Sequence, residues 1–500
     1  MTITDLPAAA SAMKTFFDTA TKDGAAMAAS VDSATKQQAG FDVFDPKAYS
    51  EVGIDPAGGL TFFAEGDSKA GLLAIRTSDE KKATEWLVSL LKRVQGTSEV
   101  RDTEFEGAKF RTVGRPFGTE FVPVTHFSFV DENLLIAQEP GKGALVSALK
   151  RLRGQGPKAN LSQDETYLSL AKKVPKDSTL ALFIRGDVLK GTAAEGISKG
   201  AFFTATFSGA GFSADAFVDA DTGELQKAFS GPAPKPLAKL VGEDAVLVML
   251  TQSATADALP ALRKDPTVAR TLDTVFRVFQ ERAGLDAEKD LLPLLAGPLT
   301  TGVYLEDPQR ALAMVQLQGA NPNALLDAVH ASVTAEVKDS KKMVELLDSA
   351  MSRLEYASLK FKKTESERNG KPLVRYEPDR PQPKLAWALY GNTYVYGAGT
   401  GRLDTMLDII DGERPSISLD ASAGGELVAK KGAAVIVIRL GALGDKVGDM
   451  AASLGGGGAA MFGQFVTSAV SMAKTVGDVA MAAEVDGEGI RLSVREKLGQ

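Results

Sequence analysis

The stretch GALVSALKRLRGQGPKANLSQDETYLSLAKK (residues 143–173) is similar to GRLDTMLDIIDGERPSISLDASAGGELVAKK (residues 401–431), which lies 258 positions later. The two stretches share Gly, Leu and Pro positions in one register, and both end in Ala-Lys-Lys. Glycine and proline punctuate helices and turns, so keeping them in place indicates the same order of elements in both stretches. We therefore predict an internal duplication; the alternative is coincidence in a chain rich in Ala, Gly and Leu.

The similarity extends outward on both sides of these stretches. Downstream, Phe183-Ile-Arg185 corresponds to Val437-Ile-Arg439, and upstream, Ala57-Gly-Gly-Leu-Thr61 corresponds to Ala296-Gly-Pro-Leu-Thr300. After each upstream motif, apolar periodicity predicts a strand, a second apolar run and a helix. These elements are residues 60–64, 71–76 and 82–94 in the first half, and 301–305, 311–317 and 323–337 in the second.

Strand-like runs follow one another with short breaks, which favours antiparallel hairpins. Residues 125–130 and 134–138 form one such pair, and residues 385–390 and 393–396 form another. Gly391-Asn392 between the second pair is typical of a turn that needs positive φ. Because the strands are grouped, we predict an α+β fold with two similar lobes from the duplication, each an antiparallel sheet with flanking helices.

The domain organisation follows from this repeat and from one proline-rich segment. Gly231-Pro-Ala-Pro-Lys-Pro236 places three prolines in a short stretch, which is typical of a stiff linker. We predict an N-terminal helical segment at 1–39, a first α+β lobe at 40–225, a linker at 226–240 and a second lobe at 241–500. The second lobe carries an apolar helical hairpin at 441–476.

Composition excludes several classes of function. The chain has 500 residues, no cysteine, two histidines and a formal net charge of −7. The absence of cysteine removes disulfides, thiolate metal sites and cysteine nucleophiles, and two histidines rule out a three-histidine site. A mildly acidic chain argues against nucleic-acid binding. We expect no catalytic residues, no metal site and no cofactor.

No window of about 18 consistently apolar residues occurs, so we expect no transmembrane span. The first residues, Met1-Thr-Ile-Thr-Asp-Leu-Pro, lack a basic segment followed by an apolar one, and so do not form a signal peptide as they stand. We expect the periplasm or outer envelope if a leader was removed before Met1, and the cytoplasm otherwise.

Three motifs carry a resemblance to a known family. They are Phe44-Asp-Pro with Gly53-Ile-Asp-Pro-Ala-Gly-Gly59, the run from Gly284-Leu-Asp to Leu291-Leu-Pro-Leu-Leu-Ala-Gly297, and Asn392-Thr-Tyr-Val-Tyr-Gly397. Through them the chain resembles a family of bacterial envelope proteins built around a domain of unknown function. The resemblance implies export or lipid anchoring and no established activity, although this chain lacks the leader and the lipid-bearing cysteine.

Two motifs resemble catalytic or cofactor signatures but fit them poorly. Gly397-Ala-Gly399-Thr-Gly401 follows a strand and opens a helix, yet its spacing is not that of the dinucleotide fingerprint. Gly196-Ile-Ser198-Lys-Gly200 matches the nucleophile-elbow pattern, but a strand-like run rather than a helix follows Ser198. His330, the candidate base for Ser198, is predicted to lie in the helix at 323–337 with Leu325, Leu326 and Val329.

The predicted hairpin at 441–476 has no counterpart in the first half. Its two apolar stretches are joined by Gly455–Gly458, and the second presents Met461, Phe462 and Phe465 on one wide face. Covering the sheet of the second lobe is the simplest role for that face. We predict that these three residues line an apolar groove or meet a second copy of the chain.

These observations favour a non-enzymatic, two-lobed envelope protein that binds a partner protein or an apolar ligand, with a homodimer contact as one form of that binding. The alternatives are a serine hydrolase that uses Ser198 and a cytoplasmic structural or scaffold protein. The first would bring Ser198 and His330 together in one pocket, and the second would show no leader upstream of Met1.

Overall fold

The structure is a computed structural model that divides into two compact units, residues 1–220 (unit 1) and 221–500 (unit 2). The parts of the chain that it describes are residues 2–3, 5–20, 33–34, 36–64, 71–96, 99–155, 163–186, 197–208, 210–223, 226, 229–252, 256, 259–260, 263, 266–308, 310–311, 326–356, 360–379, 384–453 and 477–497.

Unit 1 contains mostly antiparallel strands with helices between them. Its strands are β1 (Thr2–Ile3), β2 (Leu60–Ala64), β3 (Gly71–Arg76), β4 (Glu99–Phe105), β5 (Ala108–Phe117), β6 (Glu120–Val130), β7 (Asn133–Gln138), β8 (Leu180–Arg185), β9 (Ile197–Ser208) and β10 (Gly211–Ala220). Its helices are α1 (Leu6–Ala20), α2 (Pro46–Glu51), α3 (Glu80–Gln95), α4 (Lys142–Leu152) and α5 (Glu165–Ala171), with a 3₁₀ turn at Pro56–Gly58.

The strands of unit 1 pair in the order β4-β5-β6-β7-β3-β2-β1-β8-β9-β10, and each of these pairs is antiparallel. Helices pack on this sheet through their apolar stripes: Leu87 and Leu91 of α3 join one core, and Leu145 and Leu149 of α4 join another. Asp79 caps the N-terminus of α3, where its side chain accepts hydrogen bonds from two backbone N–H groups. Gly96, in the left-handed conformation, caps the C-terminus.

Unit 2 has the same kinds of elements. Its strands are β11 (Leu247–Thr251), β12 (Leu295–Leu305), β13 (Val329–Val337), β14 (Phe361–Arg368), β15 (Lys371–Pro378), β16 (Leu385–Tyr390), β17 (Thr393–Ala398), β18 (Ala434–Arg439), β19 (Asp478–Asp486) and β20 (Gly489–Lys497). Its helices are α6 (Pro266–Ala283), α7 (Ser340–Tyr356), α8 (Arg402–Asp411), α9 (Gly425–Val428) and α10 (Leu440–Ser453), with a π turn at Ala287–Leu291 and 3₁₀ turns at Lys235–Leu240 and Leu292–Leu294.

The strands of unit 2 pair in the order β14-β15-β16-β17-β13-β12-β11-β18-β19-β20, again all antiparallel. Helices α8 and α9 pack through Leu403, Met406 and Leu427 on one core, and α7 packs through Met343 on a second. Helices and antiparallel sheets confirm the α+β class. Both predicted hairpins are also confirmed, since β6 pairs with β7 and β16 with β17.

The predicted helix at 323–337 is wrong. Residues Val329–Val337 form strand β13, which pairs with β12 and β17, and the helix follows it at Ser340–Tyr356. His330 therefore lies on a strand. The error has a physical reason: Leu325, Leu326, Val329 and Val333 recur at helical spacing, and this pattern overlaps the strict alternation of polar and apolar residues from His330 to Val337 that is typical of a strand.

The unit boundary at 220/221 lies close to the predicted start of the linker. Within the segment 226–240, the 3₁₀ turn Lys235–Leu240 buries Leu237 and Ala238 in the core of unit 2. At the other end of the chain, the segment 1–39 includes strand β1, which lies between β2 and β8. A strand of two residues is too short to leave a periodic signal in the sequence.

Candidate functional site

The structure places the predicted site residues in different parts of the chain. Met461, Phe462 and Phe465 lie outside the described residues. Ser198 is the second residue of strand β9 in unit 1, so it does not sit between a strand and a helix as a nucleophile elbow requires. His330 belongs to unit 2. The other histidine, His126, is buried on β6, where its Nδ1 lies 2.9 Å from Thr112 Oγ1.

The glycine-rich turn Gly397–Gly401 connects β17 to α8 and packs tightly against the sheet. A Cβ atom at Gly399 would lie 2.1 Å from His330 Cδ2, and one at Gly397 would lie 2.6 Å from the backbone nitrogen of Leu403. Close packing within unit 2 therefore requires Gly397 and Gly399, and a φ of +69° favours glycine at position 401. This explains the motif without a nucleotide.

The turn places Arg402, the first residue of α8, in a partly buried ionic cluster. Arg402 is 4% exposed, and its guanidinium carbon lies 3.7 Å from the centre of the Tyr304 ring. Its Nη2 donates to Asp244 Oδ2 at 3.2 Å and to Glu306 Oε1. A cation at a helix N-terminus is opposed by the helix dipole, and these two carboxylates compensate for that and for the loss of water.

His330 and Tyr304 complete the cluster without forming a reactive pair. His330 Nδ1 lies 3.6 Å from Glu306 Oε1, and burial lowers the pKa of its imidazole, an effect that Glu306 partly offsets. The Tyr304 hydroxyl lies 3.0 Å from Ser332 Oγ, and burial raises its pKa. The neutral His330, the protonated Tyr304 and the ion pairs of Arg402 together hold α8 on the sheet. This arrangement provides no activated nucleophile.

The described residues also contain no group of three or more His, Asp or Glu side chains able to hold a metal ion. Among the described helices, none is long and apolar enough to cross a membrane.

A different feature of unit 2 has the character of a binding surface. Strands β11, β18, β19 and β20 bury one face in the core, through residues such as Val248, Val437 and Ala480. Because side chains alternate along a strand, the opposite face can be read from the pairing register. We call it the apolar face; it consists of Leu247, Met249, Thr251, Ala434, Ile436, Ile438, Val479, Met481, Ala483, Val485, Ile490, Leu492, Val494 and Glu496.

Several large apolar side chains of the apolar face are exposed to solvent, although apolar sheet faces are normally packed against other elements. Met249 is 39% exposed, Met481 is 38% and Leu492 is 43%, and Met249, Ile436 and Met481 form one cross-strand row. An antiparallel sheet with one solvated face normally places polar residues there. Strands that are apolar on both faces indicate that the second face also meets apolar material.

One carboxyl group interrupts this surface. Glu496 lies on the row formed by Leu247, Ile438 and Val479, at one end of the face. Its Oε1 is buried and has no hydrogen-bond partner among the described residues. Burial raises the pKa of this carboxyl to about 7. A carboxyl group in such a position is poised to change charge near neutrality.

Sequence reasoning missed both features. Arg402 is 158 residues from Asp244 and 96 from Glu306, so no local pattern could have joined them. The apolar face did leave a signal: Ala434–Arg439 and Asp478–Val485 are apolar at nearly every position, as in a strand buried on both sides.

Fold and site together define an α+β protein with an exposed apolar sheet face and, among the described residues, no reactive cluster. The chain belongs to the family described as "Protein of unknown function (DUF3352)", whose family model matches residues 23–376. The predicted resemblance to a family built around a domain of unknown function is thus confirmed.

Other comparisons add little. No curated protein matches the chain. It is similar to two solved structures of TP0453, in crystal forms III and I, with 9% identity and a TM-score of 0.26 for each. The similarity covers 52% of this chain and 92% and 91% of those chains. Similarity at this level supports no inference about function.

Proposed function

We propose that this protein is a non-enzymatic binding protein of the cell envelope, and that the apolar face of unit 2 binds an apolar ligand. The observation that carries the proposal is the exposure of Met249, Met481 and Leu492 on a face that contains one ionisable residue among its described positions. Water contact with such a surface is unfavourable by about 25 cal/mol per Å² of apolar area, which favours an apolar occupant.

The dimensions of the face favour a small ligand over a partner protein. Strands are spaced by about 4.8 Å and rise by about 3.4 Å per residue, so β11, β18, β19 and β20, with 5, 6, 9 and 9 residues, present about 470 Å². A stable protein interface needs about 800 Å² from each partner. An area of this size suits one alkyl chain, and it is too small to hold a second copy of the chain by itself.

Two further proposals concern origin and location. We infer an internal duplication, supported by the strand orders of the two units, in which each strand of unit 1 has a counterpart ten strands later. Arg185 and Arg439, matched by sequence, end the counterpart strands β8 and β18.

The proposed envelope location rests on the family resemblance. The alternative function, a serine hydrolase, gains no support, because Ser198 lies within strand β9.

The binding proposal is tested with N-phenyl-1-naphthylamine, a dye that fluoresces in apolar sites. We expect the full chain to enhance its fluorescence and the double variant Met249→Asp/Met481→Asp to weaken binding by about tenfold or more. The matched control is Val94→Asp/Leu152→Asp in unit 1, where two apolar residues of 61% and 51% exposure are changed away from the face.

Equal dye binding by both double variants would overturn the proposal. Light scattering of the same samples separates the alternatives. A dimer that is lost only in Met249→Asp/Met481→Asp would replace the ligand with a second copy of the chain. Dye binding that is lost in Phe462→Asp/Phe465→Asp but kept in Met249→Asp/Met481→Asp would move the site to the predicted groove residues Met461, Phe462 and Phe465.

A further inference from the structure

The apolar face is asymmetric along its strands, and this asymmetry bears on the kind of ligand. At one end lies Glu496, in a row with Leu247, Ile438 and Val479. The rows beyond it contain Met249, Ile436, Met481 and Val494, and then Ala434, Ala483 and Leu492 with Thr251. The face therefore has one polar end and an apolar remainder, which is the pattern of an amphiphile.

One carboxyl oxygen of Glu496 takes no part in the hydrogen bonding of the described residues. Its Oε1 is buried without a hydrogen-bond partner. A buried acceptor left unsatisfied costs about 1–3 kcal/mol, and such a cost is commonly retained where a ligand supplies the missing donor. The neighbouring charged residues Arg439, Asp478 and Lys497 lie in the adjacent row, whose side chains point to the opposite side of the sheet.

We propose, on the basis of the proposed function, that the ligand is a single-chain amphiphile whose uncharged or cationic head donates a hydrogen bond to the carboxyl group of Glu496. Its alkyl chain lies along Met249, Ile436, Met481 and Leu492. A free fatty acid anion is disfavoured above neutral pH, because its carboxylate would meet a second acceptor and a second negative charge. The specificity of the site thus comes from one side chain.

The pH dependence follows from the carboxyl group. Burial raises the pKa of Glu496 to about 7, so the group is neutral below neutrality and charged above it. Other charged groups near the sheet end are Arg439 on β18, Asp478 on β19, Arg495 and Lys497 on β20, and Asp445 and Lys446 on α10. A cationic head gains attraction as pH rises through about 7, and an anionic head gains repulsion over the same range.

The test compares dodecylamine, dodecanol and dodecanoate as competitors of N-phenyl-1-naphthylamine on the full chain. These compounds share one alkyl chain and differ in the head. At about pH 8 we expect dodecylamine to bind about tenfold or more tightly than dodecanoate, and the ratio to narrow at about pH 6. In Glu496→Gln the preference should disappear at both pH values, whereas binding of dodecanol should change less than about twofold.

Glu488→Gln, at an exposed position in the turn between β19 and β20, is the matched control and should behave like the wild type. If Glu496→Gln fails to fold, the role of the carboxyl group is tested by comparing the preference of the wild type for dodecylamine over dodecanoate at the two pH values. An amine preference that persists unchanged in Glu496→Gln, or that is the same at both pH values in the wild type, would overturn this inference while leaving the apolar site intact. Failure of dodecanol to compete would instead overturn the proposed function.

Discussion

The two units share one strand order but differ in what covers the last strands of the sheet. In unit 1, α1 lies against β9, and Ala9 of α1 is buried together with Ala201 and Ala216 on the same sheet face. In unit 2, the helix in the same position of the chain order, α6, packs against α7. The corresponding sheet face exposes Met249 and Met481.

Among the described residues, the difference in exposure goes with the different paths of helices α1 and α6. The counterpart strands β8 and β18 are apolar on both faces, as strands that receive cover on both sides should be. Helix α1 leaves β1 and returns over the sheet, with a groove of about 300 Å³ between Ala8, Ala12 and Phe207. α6 takes another path, and Met249, Met481 and Leu492 on the equivalent face of unit 2 are exposed.

The largest expected change in stability comes from glycine substitutions near the starts of α4 in unit 1 and α8 in unit 2. We expect Gly399→Ala to destabilise unit 2 by more than about 3 kcal/mol, because its Cβ would collide with His330 and its φ of +114° is unfavourable for alanine. The unit 1 control is Gly143→Ala in the first turn of α4, where a Cβ meets open space and the change should lie within about 1 kcal/mol. Urea unfolding of both variants measures this, and equal losses would mean that the contact with His330 does not restrict position 399.

The second prediction removes the cover in unit 1. Ala9→Asp places a carboxylate at a buried position of α1, so we expect a loss of about 2–3 kcal/mol and a new site for N-phenyl-1-naphthylamine in unit 1. Ser11→Asp, at an exposed position on the same helix, is the control. A destabilised Ala9→Asp protein with no additional dye binding would show that the covered face of unit 1 is unlike the apolar face of unit 2.

The third prediction compares the two faces of one strand, β18. Val437 is fully buried in the core of unit 2, and we expect Val437→Ala to cost about 2 kcal/mol. Ile436 lies on the apolar face and is partly exposed, so Ile436→Ala should cost less than about 1 kcal/mol although it removes a larger side chain. Losses in the opposite order, measured by urea unfolding, would mean that the apolar face is covered in the protein without ligand.

The sequence could predict elements whose signals are local. Gly391-Asn392 marked the β16–β17 hairpin, and the repeated stretch marked helices α4 and α8. It did not predict β13, because Leu325, Leu326 and Val329 carry helical spacing into a segment whose alternation of polar and apolar residues is also that of a strand. Nor could it predict which apolar strand face stays exposed, since the path of α6 depends on packing against α7.

The smallest predicted effect concerns pH and the buried histidine of unit 2. Burial lowers the pKa of His330 from its usual value of 6.5, with Glu306 partly opposing the shift. A lowered pKa means that the folded state binds this proton less readily than the unfolded state does, so this contribution is intact above about pH 6.5 and is lost as the pH falls below it. In the background of Glu496→Gln, which removes the opposite contribution of that carboxyl group, we expect the free energy of unfolding of unit 2 to decrease between about pH 7.5 and 5.5, and His330→Gln to reduce that slope. The control is Glu306→Gln, which removes the opposing carboxylate and should steepen the slope. The opposite result would be a stability that rises as the pH falls, and that does so only while His330 is present. His330 would then be protonated in the folded protein, and the cluster around Arg402 would hold a second cation. Asp244 and Glu306 would in that case pair with two cations, Arg402 and His330.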